Sequence, residues 1–338
     1  MPATPLTAVE RAPGATGRAR ASVVLSTGVC LPEAVISNAD LERVVRTSDA
    51  WILERTGIRE RRRSGAGVTT SMLAAAAGKT ALDHAGLESV DAIIVATSSP
   101  DTFIPPVACL VQRRLEMASV PAFDVNAACS GFVDGLIVAD GLIRAGTAST
   151  VLLIGAEALT KLVDYTDRST CVLFGDGAGA MVLGAGDAGG ILASRWGSDG
   201  SHADLIYYGP SEEYPDTGDG LRLAGKGTFR MAVEQMTELC AELCEAAGWT
   251  MDDIDVVIPH QANQRIIEAV AKRGGLSLDR FVINVDRLGN TGAASVPLAF
   301  AEAEATGRLH PGSRVLSVAF GAGATWGGFA MEWTSSPR

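Results

Sequence analysis

The sequence predicts an α/β fold built from two similar halves. The first observation behind this is an internal repeat: Val90-Asp91-Ala92-Ile93-Ile94-Val95-Ala96-Thr97 reads like Ile254-Asp255-Val256-Val257-Ile258-Pro259-His260-Gln261, at an offset of 164 residues. The second is that Ser149–Ile154 matches Ser313–Val318 at the same offset, and that Phe123–Asn126 and Val282–Val285 each lead into small residues. The third is an alternation of short apolar runs with segments of helical periodicity.

Taken in order, Met72–His84 carries a helical stripe and Ala92–Ala96 is a short, wholly apolar run. Such a run suits a strand covered by helices on both faces. Ala108–Glu116 is helical again, Phe123–Asn126 reads as a strand, and Phe132–Ala145 as the helix that follows it. Val151–Ile154 and Met181–Leu183 are further buried strands, and glycine and alanine cluster at Gly184–Gly190. The second half repeats the pattern with a helix at Phe229–Ala247, a strand at Val256–Ile258, a helix at Asn263–Arg273 and a strand at Val315–Val318. The expected division is a flexible N-terminal extension over 1–21, an N-terminal half over 22–187 and a C-terminal half over 188–338.

Length and composition fit this division. A chain of 338 residues is long for one core and comfortable for two. No apolar run reaches the ~18–20 residues that a membrane helix needs. Met1–Ala21 lacks the apolar stretch of a secretory signal, so a cytoplasmic protein with a flexible tail is expected. An arginine-rich organellar address is the weaker alternative. The net charge of −11 argues against a broad nucleic-acid face. The cluster Arg59, Arg61, Arg62 and Arg63 is short enough to be a solvated face or to hold one phosphorylated ligand or acidic partner. Six scattered cysteines suggest neither a disulfide framework nor a metal site.

Three places carry chemistry-bearing residues. In Asp124-Val125-Asn126-Ala127-Ala128-Cys129-Ser130-Gly131-Phe132 a strand runs through small residues into a helix, which places Cys129 at a sharp turn. A helix N-terminus favours the thiolate; a buried structural cysteine is the plain alternative. His260 follows Pro259 where an apolar strand ends, the position at which α/β sheets bind ligands, although a lone histidine can also be a satisfied core residue. Asn290 lies in Gly289-Asn290-Thr291-Gly292, which is good turn chemistry in its own right. By the repeat, this turn is the counterpart of the Cys129 turn, and a pseudo-twofold would bring both to one centre. Backbone N–H groups of Phe320–Gly328 could face an oxyanion, or the segment could be a tight turn between strands. Gly220–Lys226 nearly spells a phosphate loop, but Gly227 stands where a Ser or Thr is required. Gly175-Asp176-Gly177-Ala178-Gly179 precedes a strand rather than a helix and reads as a turn.

With these residues in place, the chain resembles β-ketoacyl-acyl-carrier-protein synthase III from about Ser22 to Trp333. The resemblance rests on Asp49-Ala50-Trp51-Ile52 with Arg55-Thr56-Gly57-Ile58-Arg59, the Cys129 segment, Phe174–Ala180, His260-Gln261-Ala262-Asn263, Gly289-Asn290-Thr291 and Phe320-Gly321-Ala322-Gly323. It implies a duplicated five-layer α/β/α/β/α thiolase-like fold and a homodimer. It implies decarboxylative condensation of an acyl-CoA primer with malonyl-acyl carrier protein, with no cofactor beyond the coenzyme A thioester as substrate and no metal. Cys129 is then the nucleophile, and His260 and Asn290 stabilise the enolate. The backbone N–H groups of Cys129 and Ala322 form the oxyanion hole. Trp51 and Arg168 match the positions that sandwich the CoA adenine, and Arg55 and Asn263 positions along its phosphates and pantetheine. Arg230, Arg265, Lys272 and Arg273 fall on the carrier-protein docking face, Ile104 closes the partner subunit's acyl pocket, and Phe320 belongs to the acyl site. The N-terminal extension, Ala322 in place of a frequent glycine, and Ile104 depart from the pattern and open the way to branched or longer primers.

Three other readings stand beside this one: an acyltransferase or priming synthase of a secondary pathway, a non-catalytic partner subunit, and a papain-like Cys-His-Asn set in which His activates Cys. Retention of Cys129 speaks against the second. Thiolase itself would want another cysteine near Phe320–Gly328, where there is none.

Overall fold

The computed structural model describes residues 21–215 and 217–335. Residues 1–20 of the expected extension lie outside the described residues. Ala21 opens the first strand.

In chain order the strands are β1 (Ala21–Cys30), β2 (Val35–Ser37), β3 (Glu60–Arg62), β4 (Ala92–Ala96), β5 (Ala122–Val125), β6 (Thr150–Ala158), β7 (Asp176–Gly186), β8 (Gly190–Ser198), β9 (Ile206–Gly209), β10 (Gly220–Leu223), β11 (Val256–Pro259), β12 (Arg314–Gly321) and β13 (Thr325–Glu332). The helices are α1 (Asn38–Leu41), α2 (Asp49–Thr56), α3 (Thr70–Ala85), α4 (Val107–Arg114), α5 (Gly131–Arg144), α6 (Gly225–Ala247), α7 (Gln264–Gly274), α8 (Val285–Leu288) and α9 (Ser295–Ala305).

Two sheets dominate. One has the order β1-β7-β6-β4-β5 and the other β11-β12-β13-β8. In each, the apolar runs that the sequence marks out pair in parallel (β4 with β6, β11 with β12), and an antiparallel pair extends the sheet outward. Phe281 bridges in parallel to Val257, in the place that β5 takes beside β4. The sheets fall on either side of residues 187–189.

Helices cover every face that these buried strands present. Phe132 and Leu136 of α5 and Ala299 and Phe300 of α9 pack between the sheets, against Ile94 and Leu153 on one side and Ile258 and Phe329 on the other. Phe300 stacks on Phe329 and Trp333 at 5.9 and 5.8 Å. Leu73 and Ala77 of α3 and Val111 of α4 cover the outer face of the first sheet, and Met236 and Leu243 of α6 and Ile267 of α7 that of the second. The result is the five-layer α/β/α/β/α arrangement that the resemblance implies.

Gly177 and Gly179 belong to β7 rather than to a turn, which corrects the sequence reading. The glycines serve packing: a Cβ on Gly179 would lie 2.8 Å from the Leu298 nitrogen, so α9 can rest directly on the strand. Among the described residues, no helix is long and apolar enough to cross a membrane.

Candidate active site

The duplicated turns meet between the sheets. After β5, Asn126 Oδ1 accepts the Ala128 N–H at 3.2 Å, a 3-10 turn spans Ala128–Ser130, and α5 begins. In the second half, Asn290 Oδ1 accepts the Gly292 N–H at 2.9 Å, a 3-10 turn spans Gly292–Ala294, and α9 begins. Each feature recurs at the repeat distance. Gly155 allows the approach, since a Cβ there would fall 2.4 Å from the Ala293 carbonyl oxygen. Ala128 is held at φ 49°, in the left-handed region that an alanine rarely adopts.

A cavity of about 620 Å³ opens onto these turns. Cys129, His260, Asn290 and Phe320 line its depth, and Trp51, Arg55, Asn263 and Arg265 its mouth. Val172, Leu173, Ile206, Leu223 and Met236 form apolar walls between.

Cys129 is partly exposed at this floor, yet protein surrounds its sulfur. Burial, joined by the charge of Glu157, pushes its thiol up to about 12. The short helical turn does not outweigh these effects, so the expected lowering of the thiol pKa is overturned. The loop after β12 lies against the same turn: a Cβ on Gly321 would be 2.8 Å from the Cys129 nitrogen. Thr325 Oγ1 lies 3.0 Å from both the Ala127 and Ala322 carbonyl oxygens. The two residues expected to supply oxyanion N–H groups, Cys129 and Ala322, are thus held on adjoining turns.

His260 is buried, and burial without a carboxylate neighbour pushes its pKa down to about 3. Its Nδ1 lies 2.6 Å from Ser295 Oγ. Ser295 Oγ also faces the Gln261 N–H at 3.4 Å. The tautomer with its proton on Nε2, in which the serine hydroxyl donates to Nδ1, is the one that presents a donor to the cavity. Gln261 fixes the strand end, donating to the Pro259 and Val282 carbonyls at 2.9 and 3.0 Å and accepting from the Asn284 N–H at 3.0 Å. Because Asn290 Oδ1 is taken by Gly292, its amide NH₂ is the group left for the cavity. The site therefore offers two neutral donors beside a protonated thiol.

At the mouth, the Arg168 guanidinium lies 4.7 Å over the Trp51 ring. A base between them would need about 7 Å, twice a ~3.5 Å contact, so the pair is closed on itself. Asn263 caps α7, with Oδ1 accepting the Arg265 N–H at 2.9 Å and Nδ2 donating to the Arg55 carbonyl at 3.1 Å. Arg265 stacks over Phe229 and is exposed, as is Arg230 on α6 beside it. Lys272 and Arg273 are exposed in the last turn of α7, at the end of the helix away from the mouth. Ile104 is not in this cavity: it is 85% exposed, next to Phe103 at 99%. Among the described residues, no group of His, Cys, Asp and Glu is arranged to hold a metal.

Sequence reasoning missed Ser295, Gln261, Thr325 and Glu157. Their signal lies in hydrogen bonds between segments far apart in the chain.

Comparison with known proteins gives one family. Residues 123–200 match the family described as 3-oxoacyl-[acyl-carrier-protein] synthase III, and residues 244–333 its C-terminal part. The chain is similar to the β-ketoacyl-[acyl-carrier-protein] synthase III of Agrobacterium fabrum, at 46% identity over 92% of this chain and 99% of that one. It is 47% identical to that of Rhizorhabdus wittichii over 93% and 100%. Among solved structures, 3-oxoacyl-[acyl-carrier-protein] synthase III from Aquifex aeolicus superposes with a TM-score of 0.88 at 44% identity, covering 92% of this chain and 100% of the other. The priming β-ketosynthase of the R1128 polyketide pathway superposes with a TM-score of 0.90 at 33% identity, covering 96% and 100%.

Proposed function

The chain belongs to the 3-oxoacyl-[acyl-carrier-protein] synthase III family, and from that premise we propose how its own residues carry out the condensation that initiates fatty-acid synthesis. Cys129 attacks the thioester of an acyl-CoA. The acyl group moves to sulfur, and the thiol proton leaves with the departing CoA. Malonyl-acyl carrier protein then enters the same cavity. His260 Nε2–H and the Asn290 amide donate to its thioester carbonyl, carbon dioxide departs, and the enolate attacks the acyl-Cys129 carbonyl. The 3-oxoacyl product leaves on the carrier protein, and the Cys129 sulfur takes up a proton. The N–H groups of Cys129 and Ala322 stabilise the oxyanion in both acyl steps.

One observation carries this reading: His260 Nδ1 is engaged by Ser295 at 2.6 Å and the Asn290 oxygen by the Gly292 N–H at 2.9 Å, so Asn290 does not orient the histidine, and burial favours the uncharged imidazole and thiol. A papain-like set would need an imidazolium–thiolate pair and an asparagine orienting the histidine. Here two donors are set up for an enolate instead. The Trp51–Arg168 pair opens to admit the adenine, and Arg55 and Asn263 flank the phosphopantetheine. Arg230 and Arg265 receive the acidic carrier protein, with Lys272 and Arg273 extending that face. Phe103 and Ile104, too exposed for a lone chain, enter the partner's acyl site in a homodimer. The halves 22–187 and 188–338 are the units of the duplication, and the enzyme works in the cytoplasm.

The test separates the half-reactions. Asn290→Ala and His260→Ala should still load Cys129 from acyl-CoA but lose condensation with malonyl-acyl carrier protein. Equal loss of both steps would contradict the donor roles. The similarity to a polyketide priming enzyme favours a second reading, in which the acyl-Cys129 enzyme primes a secondary pathway. Competition among carrier proteins distinguishes the two.

A further inference from the structure

Glu157, near the end of β6, is fully buried and has no part in the chemistry above. Burial raises the pKa of its carboxyl group, and the hydrogen-bond donors around it act in the opposite direction. Ser98 donates its N–H at 3.1 Å and its hydroxyl at 2.9 Å to Oε1. The Ser99 hydroxyl donates to Oε2, the Thr97 hydroxyl donates to Oε2 at 3.3 Å, and the Ala293 N–H reaches Oε1 at 3.5 Å. Ser99 Oγ accepts the Ala158 N–H at 2.9 Å, and Thr97 Oγ1 accepts the Ser99 N–H at 3.1 Å. This ring of bonds fixes the carboxyl group in one place.

The same side chain meets the turn that presents Asn290. Gly292 sits at φ 53°, and a Cβ there would lie 3.1 Å from both Cγ and Oε1 of Glu157. We propose that Glu157 is a positioning residue: its carboxyl group ties the turn that presents Asn290 to the segment after β4. This rests on the roles given above to Cys129 and Asn290.

The test uses the wild-type chain, Glu157→Gln and Glu157→Asp. Acyl transfer from the acyl-CoA that the wild type accepts, and condensation with malonyl-acyl carrier protein, are followed separately. Glu157→Gln turns an amide NH₂ toward these donors, and Glu157→Asp draws the carboxyl group back from Ala293. Each should load Cys129 as the wild type does and lower condensation about tenfold, roughly the effect of misplacing one donor. Unchanged condensation, or parallel loss of both half-reactions, would overturn the proposal. If Glu157→Gln does not fold, Glu157→Asp decides alone. A wild type that accepts no acyl group would strike the proposed function instead.

Discussion

An uncharged imidazole and an uncharged thiol share one cavity, and the hydrogen bonds behind each donor decide what it can do. Asn290 spends its oxygen on Gly292, and His260 Nδ1 is engaged at 2.6 Å by the Ser295 hydroxyl. Replacing Asn290 with Ala removes one of the two proposed enolate donors and should cost about 10²–10³ in condensation rate, with acyl loading intact. Ser295→Ala frees Nδ1 to hold the proton, so the histidine loses its fixed tautomer. Condensation should fall by about tenfold or more, and the ¹⁵N signals of His260 should shift toward the Nδ1–H form. Unchanged ¹⁵N signals would show that the serine does not set the tautomer. Cys129, His260 and Asn290 were legible in the sequence because each lies at a strand end or a small-residue turn. Ser295 and Glu157 were not, because an ordinary serine or glutamate acquires its role only from the distant segment it meets.

At the scale of elements, close approach of backbone explains both what the sequence revealed and what it hid. β4, β6, β11 and β12 were readable because strands buried on both faces need unbroken apolar residues. β1, β8 and β13 were not, because glycine, serine and tryptophan interrupt them. β7 was found only in its apolar centre, since its glycines serve helix packing. Gly155→Ala tests this logic: the added methyl would meet the Ala293 carbonyl and push the Asn290 turn away. The expected cost is about 1–3 kcal/mol of stability, together with loss of condensation, read by denaturant unfolding and rate assay. Phe300→Ala, in the layer between the sheets, should cost about 3–5 kcal/mol by the same unfolding measurement.

For the whole molecule, the buried neutral groups set how stability depends on pH. His260 is held at about 3 against an ordinary 6.5, so its contribution is complete above 6.5 and is lost as pH falls toward 3. Cys129 and Cys240 are raised from 9.0 to about 12, so theirs is complete below 9 and is lost as pH rises toward 12. Unfolding free energy should therefore fall above about 9. On the acid side the loss from His260 is opposed by Asp134, which burial raises from 3.8 to about 6, so that its contribution is complete below 3.8 and is lost as pH rises toward 6. His260→Asn removes the histidine's part and should make the variant relatively more stable at pH 5 than at pH 8, compared with wild type; an unchanged difference would rule out the histidine. The duplication, the two sheets and the central pair of helices exist in this account to bring two turns together around one sulfur. The most direct measurement is the intact mass of the chain after exposure to acetyl-, propionyl-, isobutyryl- and longer acyl-CoAs, with peptide mapping and a Cys129→Ala control. An acyl adduct on Cys129 that disappears in the control and is discharged by malonyl-acyl carrier protein is the predicted result. An adduct elsewhere, or none from any acyl-CoA, would contradict the account.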